Sequence, residues 1–284
     1  MQLISRELPN DHNIFEVGDV HTGSALSSSD GWNKMIDMVH SKYDGCKNNY
    51  MVDHADLIEG IMVDDKRFDE KKMEEPLPQQ QVKEAKRIRE PIKDILLTIL
   101  QGNHDRVLWK YGDIVKSICE ELGVPYGTAT AKITINDSKG NLMYKQFAMH
   151  GSRSIRSTAD DPTRRKSNME LSLKRSLKFK AGDCAVMTKG HTHRILVADP
   201  IKELYLTDDG ERIRGHYTGW GQTESYIHPD ARWYGNTGSF LKLYGIGHSG
   251  YAEIFEYDPM EIGFLILIVR DKKIQELRPV YLDI

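Results

Sequence analysis

The 284-residue chain has few cysteines and no long apolar run, and each absence narrows the class of protein. Its three cysteines, Cys46, Cys119 and Cys184, are far apart and form no CxxC pair. This pattern argues against a disulfide framework and a cysteine-rich zinc site, and it is typical of a reducing compartment. The apolar run at 262–269 is too short to span a bilayer, and the opening "MQLISRELPND" lacks the apolar core of a signal peptide. We therefore expect a soluble, cytoplasmic protein with no membrane partner.

The sequence also lacks a strong excess of charge of either sign. Its formal net charge is −3, so the overall charge argues neither for nor against nucleic acid as a partner. Hydrophobic residues make up 39% of the chain and charged residues 29%, which is enough apolar material for a sizeable core. We find no internal repeat and expect one domain over residues 1–284. Within it we expect a charged insertion at about 64–81, a basic insertion at about 153–180 and a β-rich part at about 198–284.

Short apolar runs, rich in β-branched or bulky residues and followed by glycine or polar residues, predict strands. They lie at 14–20, 50–58, 95–100, 142–149 and 184–188. Amphipathic helices are predicted after an N-cap at Ser29 or Asp30, over 79–90, and between an N-cap at Asp113 and a stop at Gly123. This alternation predicts an α/β fold. The late runs "YAEIFEY" and "FLILIVRDKKIQELRPVYL" predict antiparallel strands, with a turn at 271–273.

Each of the five predicted strands leads to polar side chains that bind metals or transfer protons. These residues are Asp19, His21, Asp56, Asn103, His104, Asp105, His150, His191 and His193. Taken singly, a D-x-H or H-x-H pair, a histidine at a strand end or an aspartate in a turn is common by chance. The whole set is more specific, because the motifs recur every 37 to 47 residues and each follows a predicted strand. In α/β sheets, ligands bind beyond the carboxyl ends of the strands.

The types of donor atom in this set predict a metal site without thiolate ligands. In an extended D-x-H segment, Asp19 and His21 point to the same side and can bind one ion, and His191 and His193 repeat that spacing. Carboxylate, imidazole and amide oxygen suit Mn, Fe or Zn. Two divalent ions need a bridging anion, which Asp56 can supply. Such ions, about 3.5–4 Å apart, clamp a phosphate and generate a hydroxide nucleophile near neutral pH.

Together the motifs resemble the signature of the calcineurin-like metallophosphoesterase superfamily. They read "GDVHTG", "HADLIEG", "QGNHD", "AMHGS" and "KGHTH", in the order of that family, over residues 15 to about 194. The closing "GNTGSF" and the last strands are also similar to its C-terminal sheet. The resemblance implies a four-layer α/β/β/α double β-sandwich and two divalent metal ions. Mn²⁺ is the expected metal, with Fe, Zn or Ni as alternatives.

The resemblance also implies a role for each motif residue. One metal would be held by Asp19, His21 and His193, the other by Asn103, His150 and His191, with Asp56 bridging the two. His104 would stabilise or protonate the leaving oxygen, and Asp105 would orient His104. A hydroxide bridging the metals would attack phosphorus in line.

Ala55 and Glu59, on either side of Asp56, also bear on the predicted site. Ala55 stands where the family has glycine, and alanine is strained if that position needs a positive φ. Glu59 lies three residues after Asp56, where either a role behind the metal ligands or a plain surface role is consistent with the sequence.

The basic insertion bears on the substrate. Residues 153–180 carry nine Lys or Arg against three Asp or Glu, which fits either a solvated helical face or a surface that holds a polyanion. The candidate substrate-binding residues are Arg106, Arg153, Arg164 and Arg165. The chain lacks the G-D-x-x-D-R-G and G-N-H-E motifs of protein phosphatases, so it is more similar to the phosphodiesterase and DNA-repair nuclease branches.

We therefore predict a dinuclear-metal phosphodiesterase that acts on nucleic acid or nucleotides. A phosphatase or diesterase for a small metabolite is the alternative. A non-catalytic scaffold is disfavoured, because no ligand of the signature is missing and His104 is present. The oligomeric state stays open, and a homo-oligomer is compatible with the sequence.

Overall fold

Strands and helices alternate through most of the computed structural model, which describes the chain except residues 66, 67, 69, 71, 72, 219–221, 223, 224, 248–252, 254, 255 and 284. The strands are β1 Gln2–Glu7, β2 His12–Val17, β3 Asn49–Asp53, β4 Leu96–Ile99, β5 Thr130–Asn136, β6 Leu142–Met149, β7 Val186–Lys189, β8 Ile195–Ala198, β9 Leu204–Asp208, β10 Ile213–Tyr217, β11 Trp233–Thr237, β12 Gly263–Arg270 and β13 Lys273–Tyr281. The α-helices are α1 Ser29–His40, α2 Pro78–Arg87, α3 Ile114–Leu122 and α4 Pro162–Leu177. Short 3₁₀ helices lie at Glu90–Ile95, Asp105–Tyr111 and Pro229–Ala231. The protein is therefore a mixed α/β protein.

A five-stranded sheet has the order β13-β12-β2-β3-β4. Strands β2, β3 and β4 are parallel, and β12 is antiparallel to both β2 and β13. Every residue of β2 is buried, which explains why "HNIFEV" shows no simple alternation of apolar and polar residues. Because parallel strands end at the same edge, the loops that follow β2, β3 and β4 leave the sheet together.

A six-stranded sheet has the order β1-β5-β6-β7-β11-β8. Its central strands β6, β7 and β11 are parallel, whereas β5 is antiparallel to β6 and β8 is antiparallel to β11. The last residues of β6 and β7, Met149 and Lys189, are register partners. The segments that begin at His150 and Gly190 therefore leave this sheet side by side.

Three hydrophobic clusters hold these elements together. The first packs α1, α2 and α3 on one face of the five-stranded sheet, through residues such as Met35, Ala85 and Ile118. The second lies between the sheets and joins Ile14 and Val52 of the five-stranded sheet to side chains of the six-stranded sheet. The third packs Leu173 and Leu177 of α4 against the six-stranded sheet. The two sheets thus face each other across a shared apolar core, which fixes their strand ends relative to one another.

The five predicted strands are present, but only the run 142–149 has the predicted bounds, and the other four strands are shorter than expected. The run 14–20 ends as a strand at Val17, and the run 50–58 ends at Asp53. The N-cap of α1 is Ser28, whose side chain accepts a hydrogen bond from the backbone N–H of Gly31 at 3.2 Å, so the predicted cap at Ser29 or Asp30 was wrong. The cap of α3 at Asp113 and its left-handed stop at Gly123 are confirmed.

The C-terminal part was predicted only in outline. Strands β12 and β13 are antiparallel and turn at Asp271 and Lys272, as expected. Most of "YAEIFEY" and part of the charged insertion at 64–81 lie outside the described residues. The basic insertion contains α4. Among the described residues, no helix is long and apolar enough to cross a membrane.

Candidate metal centre

Tight left-handed turns, not extended strands, carry the D-x-H and H-x-H motifs. The φ angles are 54° at Asp19, 53° at His21, 77° at His191 and 54° at His193. The expected same-side geometry of an extended segment was therefore wrong, because the chain has already left β2 and β7 at these residues. Non-glycine residues pay a conformational cost for positive φ and adopt it where the surroundings fix the backbone.

The turn after β2 is fixed by the turn after β3. The backbone N–H groups of Asp19 and His21 donate to the carbonyl oxygens of Ala55 and Asp56, at 2.8 and 3.0 Å. Ala55 has φ 79° and Asp56 has φ 49°, so the position where the family has glycine is left-handed, and alanine is strained there. The backbone N–H of Ala55 donates to Oδ1 of Asp53 at 3.0 Å, and this hydrogen bond ties the turn to the end of β3.

The first group of potential metal ligands consists of Asp19, His21 and His193, whose donor atoms all lie within 4.8 Å of one another. Nε2 of His193 lies 3.2 Å from Nε2 of His21 and 3.3 Å from Oδ1 of Asp19. Oδ1 of Asp19 is buried and accepts no hydrogen bond, whereas Oδ2 accepts one from the backbone N–H of His191. Three Lewis-basic atoms thus converge on one small volume.

Glu59 sets the orientation of His21. Its Oε2 atom lies 2.9 Å from Nδ1 of His21, and the carboxylate is 4% exposed. A carboxylate partner fixes the proton on Nδ1, so the lone pair on Nε2 faces the group. Burial opposes ionisation of Glu59, but the hydrogen bond from His21 outweighs it and holds the pKa of Glu59 below its usual value. Glu59 is therefore not a plain surface residue, and a role behind His21 stays the prediction.

The second group consists of Asp56, His150 and His191, with Asn103 beside them. Oδ1 of Asn103 lies 3.0 Å from Nε2 of His150 and 2.8 Å from Nδ1 of His191. Nδ1 of His150 donates to the carbonyl oxygen of His54 at 2.7 Å, so its Nε2 faces Asn103 and Asp56. Burial lowers the pKa of His191 to about 4, which favours its neutral, ligating form.

Asp56 lies between the two groups. Its Oδ2 atom is 3.2 Å from Nε2 of His150 and 3.9 Å from Nε2 of His21. Burial lowers the pKa of His150, but the Asp56 carboxylate outweighs burial and raises that pKa to about 10. Burial likewise raises the pKa of Asp56, and His150 outweighs it, so the pKa of Asp56 lies well below its usual range. The carboxylate is therefore ionised and demands a positive charge beside it.

Gly102 gives the Asp56 carboxylate its space. A Cβ atom on Gly102 would lie 2.0 Å from Oδ1 of Asp56, which no side chain allows. The same oxygen accepts a hydrogen bond from the backbone N–H of His104 at 2.9 Å. Glycine is needed here because of this close approach.

The expectation that Asp105 orients His104 does not match the hydrogen bonds of Asp105. Its carboxylate accepts from backbone N–H groups: those of Asp56 and Gly102 at 3.0 Å each, and that of Leu57 at 2.9 Å. The imidazole of His104 is held instead by the carbonyl oxygen of Glu59, which lies 2.5 Å from Nδ1. Asp105 thus ties the loop after β4 to the loop after β3. His104 packs edge-on against His21, with ring centroids 4.5 Å apart.

Sequence reasoning missed a buried polar network beneath the site. The His54 imidazole, which is fully buried, lies 2.8 Å from Oε2 of Glu16 through Nε2 and 3.1 Å from the carbonyl oxygen of Met149 through Nδ1. Gln146 donates to the other oxygen of Glu16 at 2.6 Å. The network crosses from the five-stranded to the six-stranded sheet, and the carbonyl of His54 holds His150. The polar "HAD" after an apolar run was the signal that could have revealed it.

The closing "GNTGSF" motif also supports the site. Ser239 donates its hydroxyl to the carbonyl oxygen of Asp19 at 2.9 Å, and the backbone N–H of Phe240 donates to the same oxygen at 3.1 Å. This segment therefore fixes the left-handed turn that carries the first group.

The four candidate substrate-binding arginines differ in position. Arg165 lines a groove of about 710 Å³ that also contains His191 and His193. The guanidinium of Arg106 stacks on the Trp109 ring at 4.1 Å. Arg153 and Arg164 are exposed and are not among the residues that line the groove.

Two arginines that were not predicted, Arg156 and Arg194, line the same groove. Arg156 lies 5.3 Å from the ring centre of Tyr257, and Arg194 lies 3.5 Å from a carboxylate oxygen of Asp258. The groove thus joins three guanidinium groups to two of the potential ligand histidines, His191 and His193.

No family model matches the chain, and no curated protein matches it. Among solved structures, it is similar to a conserved uncharacterized protein from Streptococcus pneumoniae TIGR4 that is described as a predicted phosphoesterase, with 11% sequence identity, 95% of this chain and 98% of that chain covered, and a TM-score of 0.29. A TM-score of 0.29 is too low to support a shared fold or function.

Proposed function

We propose that this protein is a dinuclear-metal-dependent phosphoesterase that hydrolyses phosphodiester bonds in nucleic acid or nucleotides. One observation carries the proposal: the Asp56 carboxylate lies between two groups of potential ligands, 3.2 Å from His150 and 3.9 Å from His21. A carboxylate in this position is the arrangement that two neighbouring cations require. A histidine and carboxylate cluster built only for stability would not need a second group on the far side of Asp56.

The residues present fit metal ions. Nε2 of His150 faces Oδ1 of Asn103 and Oδ2 of Asp56, and its Nδ1 proton is already donated to a carbonyl. With its pKa raised to about 10, His150 carries a proton on Nε2 that offsets the Asp56 charge, and a metal ion bound there would take the place of that proton. In the first group, Oδ1 of Asp19 is buried without a hydrogen-bond donor, which also favours a cation. Nitrogen and oxygen donors without thiolate suit Mn, Fe or Zn, and we propose Mn²⁺.

Asp19, His21 and His193 would hold one ion, and Asn103, His150 and His191 the other, with Asp56 shared. Ions bound there would supply Lewis-acid activation of water and would neutralise charge on the phosphoryl oxygens. This pairing follows the contacts of the two groups.

The chain's own residues would orient the substrate and move protons around this centre. Because the Glu59 carbonyl holds Nδ1 of His104, proton exchange with a leaving oxygen falls to Nε2 of His104. Asp105 acts as a positioning residue, since its carboxylate fixes the backbone of Asp56 and Gly102. Glu59 keeps His21 in its ligating tautomer.

The groove beside the second group suggests how a polyanion would bind. Arg156, Arg165 and Arg194 line it together with His191 and His193. Guanidinium groups bind phosphate oxygens in bidentate fashion, so the groove offers positions for phosphates next to the one that is cleaved. This favours a substrate with several phosphates over a protein-bound phosphomonoester.

A small phosphorylated metabolite is the second candidate. The groove also contains Glu256 and Asp258, and Asp258 pairs with Arg194, which reduces the charge available to a long polyanion. Salt separates the two candidates. If three phosphates are contacted, affinity for a single strand falls about 20-fold between 50 and 200 mM salt, whereas a small substrate responds far less.

We also propose that the layers described above form the four-layer α/β/β/α double β-sandwich of the calcineurin-like superfamily, as one domain. We further propose that the protein is located in the cytoplasm.

A substrate panel with Mn²⁺ tests the proposed function. It should include single-stranded DNA, duplex DNA, RNA, cyclic nucleotides, phosphomonoesters and bis-nitrophenyl phosphate. We expect cleavage of diesters that is lost with chelator and in His104→Ala, while His228→Ala, an exposed histidine elsewhere, keeps wild-type activity. If the wild-type protein cleaves no phosphoester with any divalent metal, the proposal fails and a scaffold role replaces it.

A further inference from the structure

The β9–β10 hairpin stands apart from the two large sheets. Its strands, Leu204–Asp208 and Ile213–Tyr217, pair only with each other, and every residue in both strands is exposed. We call residues 202–217 the arm. An isolated two-stranded hairpin that is solvated on both faces is marginally stable, so packing against another surface would stabilise the arm.

One face of the arm is apolar. The register places Leu204 opposite Tyr217, Leu206 opposite Gly215 and Asp208 opposite Ile213. Alternate residues share a face, so Leu204, Leu206, Ile213 and Tyr217 form one surface. Their exposed fractions are 58%, 66%, 76% and 59%. Contiguous apolar side chains with this exposure mark an interaction surface.

The other face of the arm is polar and satisfies itself. Tyr205 stacks on His216 with ring centroids 5.5 Å apart, and Nε2 of His216 lies 2.9 Å from Oγ1 of Thr207. Arg214 pairs with Asp209 at 2.6 Å. Among the residues of the arm, therefore, the need for a partner falls on the apolar face.

The charges at the two ends of the apolar face identify the partner. Nζ of Lys202 lies 4.9 Å from the ring centre of Tyr217, so this ammonium sits at the root of the apolar face. Asp208 lies on the same face at the tip, opposite Ile213. If two copies of this face pack antiparallel about a two-fold axis at Leu206, position 204 of one copy meets position 208 of the other. Nζ of Lys202 reaches that level, because it lies beside Tyr217, the register partner of Leu204, so it meets the partner's Asp208. The face is complementary to itself in charge as well as in polarity.

We propose that the arm is a homodimer interface, in which its apolar face packs against the same face of a second copy of this chain. Leu206 lies midway along β9, so the two-fold axis brings the two Leu206 side chains together. The five-residue strands are about 17 Å long at about 3.3 Å per residue, which makes a smaller contact than the roughly 800 Å² per partner of a standard interface. The arm alone therefore makes a small contact, of the size found in weak and transient complexes. This inference does not depend on the proposed catalytic function.

Sedimentation velocity between about 1 and 100 µM tests the dimer. We expect a monomer–dimer equilibrium for the wild type and at least a tenfold weaker dimer for Leu206→Arg, since the axis places two guanidinium groups against each other. Thr207→Arg adds the same charge to the polar face and serves as the matched control, which should keep the wild-type dissociation constant. Circular dichroism checks that each variant is folded.

A charge exchange gives the test a second arm. Lys202→Glu and Asp208→Lys should each weaken the dimer, and the double variant should restore it. A wild-type monomer at every concentration overturns the proposal and leaves the apolar face to a different protein. A dimer that Leu206→Arg does not weaken, or that Thr207→Arg weakens equally, overturns it as well.

Discussion

Oδ2 of Asp56 lies 3.2 Å from Nε2 of His150, and both groups are almost completely buried. Because Nδ1 of His150 donates to the carbonyl of His54, Nε2 faces the carboxylate oxygen, and either a proton or a metal ion must lie between them. The same oxygen lies 3.9 Å from Nε2 of His21, in the first group. The site is therefore organised around Asp56, and the predictions below follow from that arrangement.

Asp105 should act through the backbone that it holds. Asp105→Asn keeps the shape of the side chain but replaces one accepting oxygen by a donor. A buried N–H group of Asp56, Leu57 or Gly102 is then left unpaired, which costs about 1–3 kcal/mol of stability. We expect weaker Mn²⁺ binding and a lower kcat, with the pH dependence of kcat unchanged. A shifted pH profile with normal metal affinity would instead support the expectation from the sequence that Asp105 orients His104. Metal titration and a pH–rate profile distinguish the two.

Glu16 should matter for folding as well as for the site. It is buried between the sheets and pairs with the buried His54 at 2.8 Å. Removing one member of a buried ion pair costs about 3–5 kcal/mol, so we expect Glu16→Gln to lower the free energy of unfolding by that amount. Glu276→Gln breaks an exposed pair with Arg278 and should cost less than about 1 kcal/mol. Urea unfolding measures both, and equal small effects would contradict the role of the network.

Because of His12, the free energy of unfolding should fall as the pH is lowered. Burial lowers the pKa of His12 to about 4, although the hydrogen bond to the Pro9 carbonyl opposes this shift. Between pH 6.5, the usual pKa, and about 4, the unfolded chain binds a proton that the folded chain does not. The stabilisation is therefore complete above pH 6.5 and is lost as the pH falls to 4, with a magnitude of about 3 kcal/mol.

His12→Gln should remove that part of the pH dependence, and the exposed His228→Gln should not. Denaturant unfolding at a series of pH values between 4 and 7 measures the difference from the wild type. The same slope in wild type and His12→Gln would rule out His12 as the source.

The arginine groove should distinguish long substrates from short ones. Arg156→Ala and Arg165→Ala each remove one groove cation, so we expect KM for single-stranded DNA to rise by about tenfold, with little change for bis-nitrophenyl phosphate. Arg175→Ala removes an exposed charge from α4, the helix that carries Arg165. Because Arg175 does not line the groove, this change should have little effect on KM. Equal losses on both substrates would mean that the groove does not bind a polyanion.

The sequence predicted which polar residues would meet, but not how the backbone brings them together. Apolar runs that end in Asp19, Asp56, Asn103, His150 and His191 are local signals, and parallel strands place their ends at one edge. The left-handed turns were missed because D-x-H was taken as extended, and φ at Asp19 depends on a hydrogen bond to Ala55, which is distant in sequence.

Interactions between distant segments account for the other errors. The hydrogen bonds of Asp105 were not foreseen, because its partners include backbone groups of the loop after β3, which no side-chain motif reveals. The Glu16–His54 pair joins residues 38 positions apart, and Gln146 of the other sheet donates a hydrogen bond to the same carboxylate. The apolar face of the arm is visible only once the register of β9 and β10 is known.

Bound Mn²⁺ per chain, measured for the wild type and Asp56→Asn after equilibrium dialysis, tests the central claim most directly. We predict two ions per wild-type chain and fewer than one in Asp56→Asn, because the shared carboxylate no longer offsets the repulsion between the ions. Asp230→Asn, an aspartate far from the site in sequence and partly exposed, is the control and should keep two. Two ions in Asp56→Asn, or none in the wild type, would contradict the account.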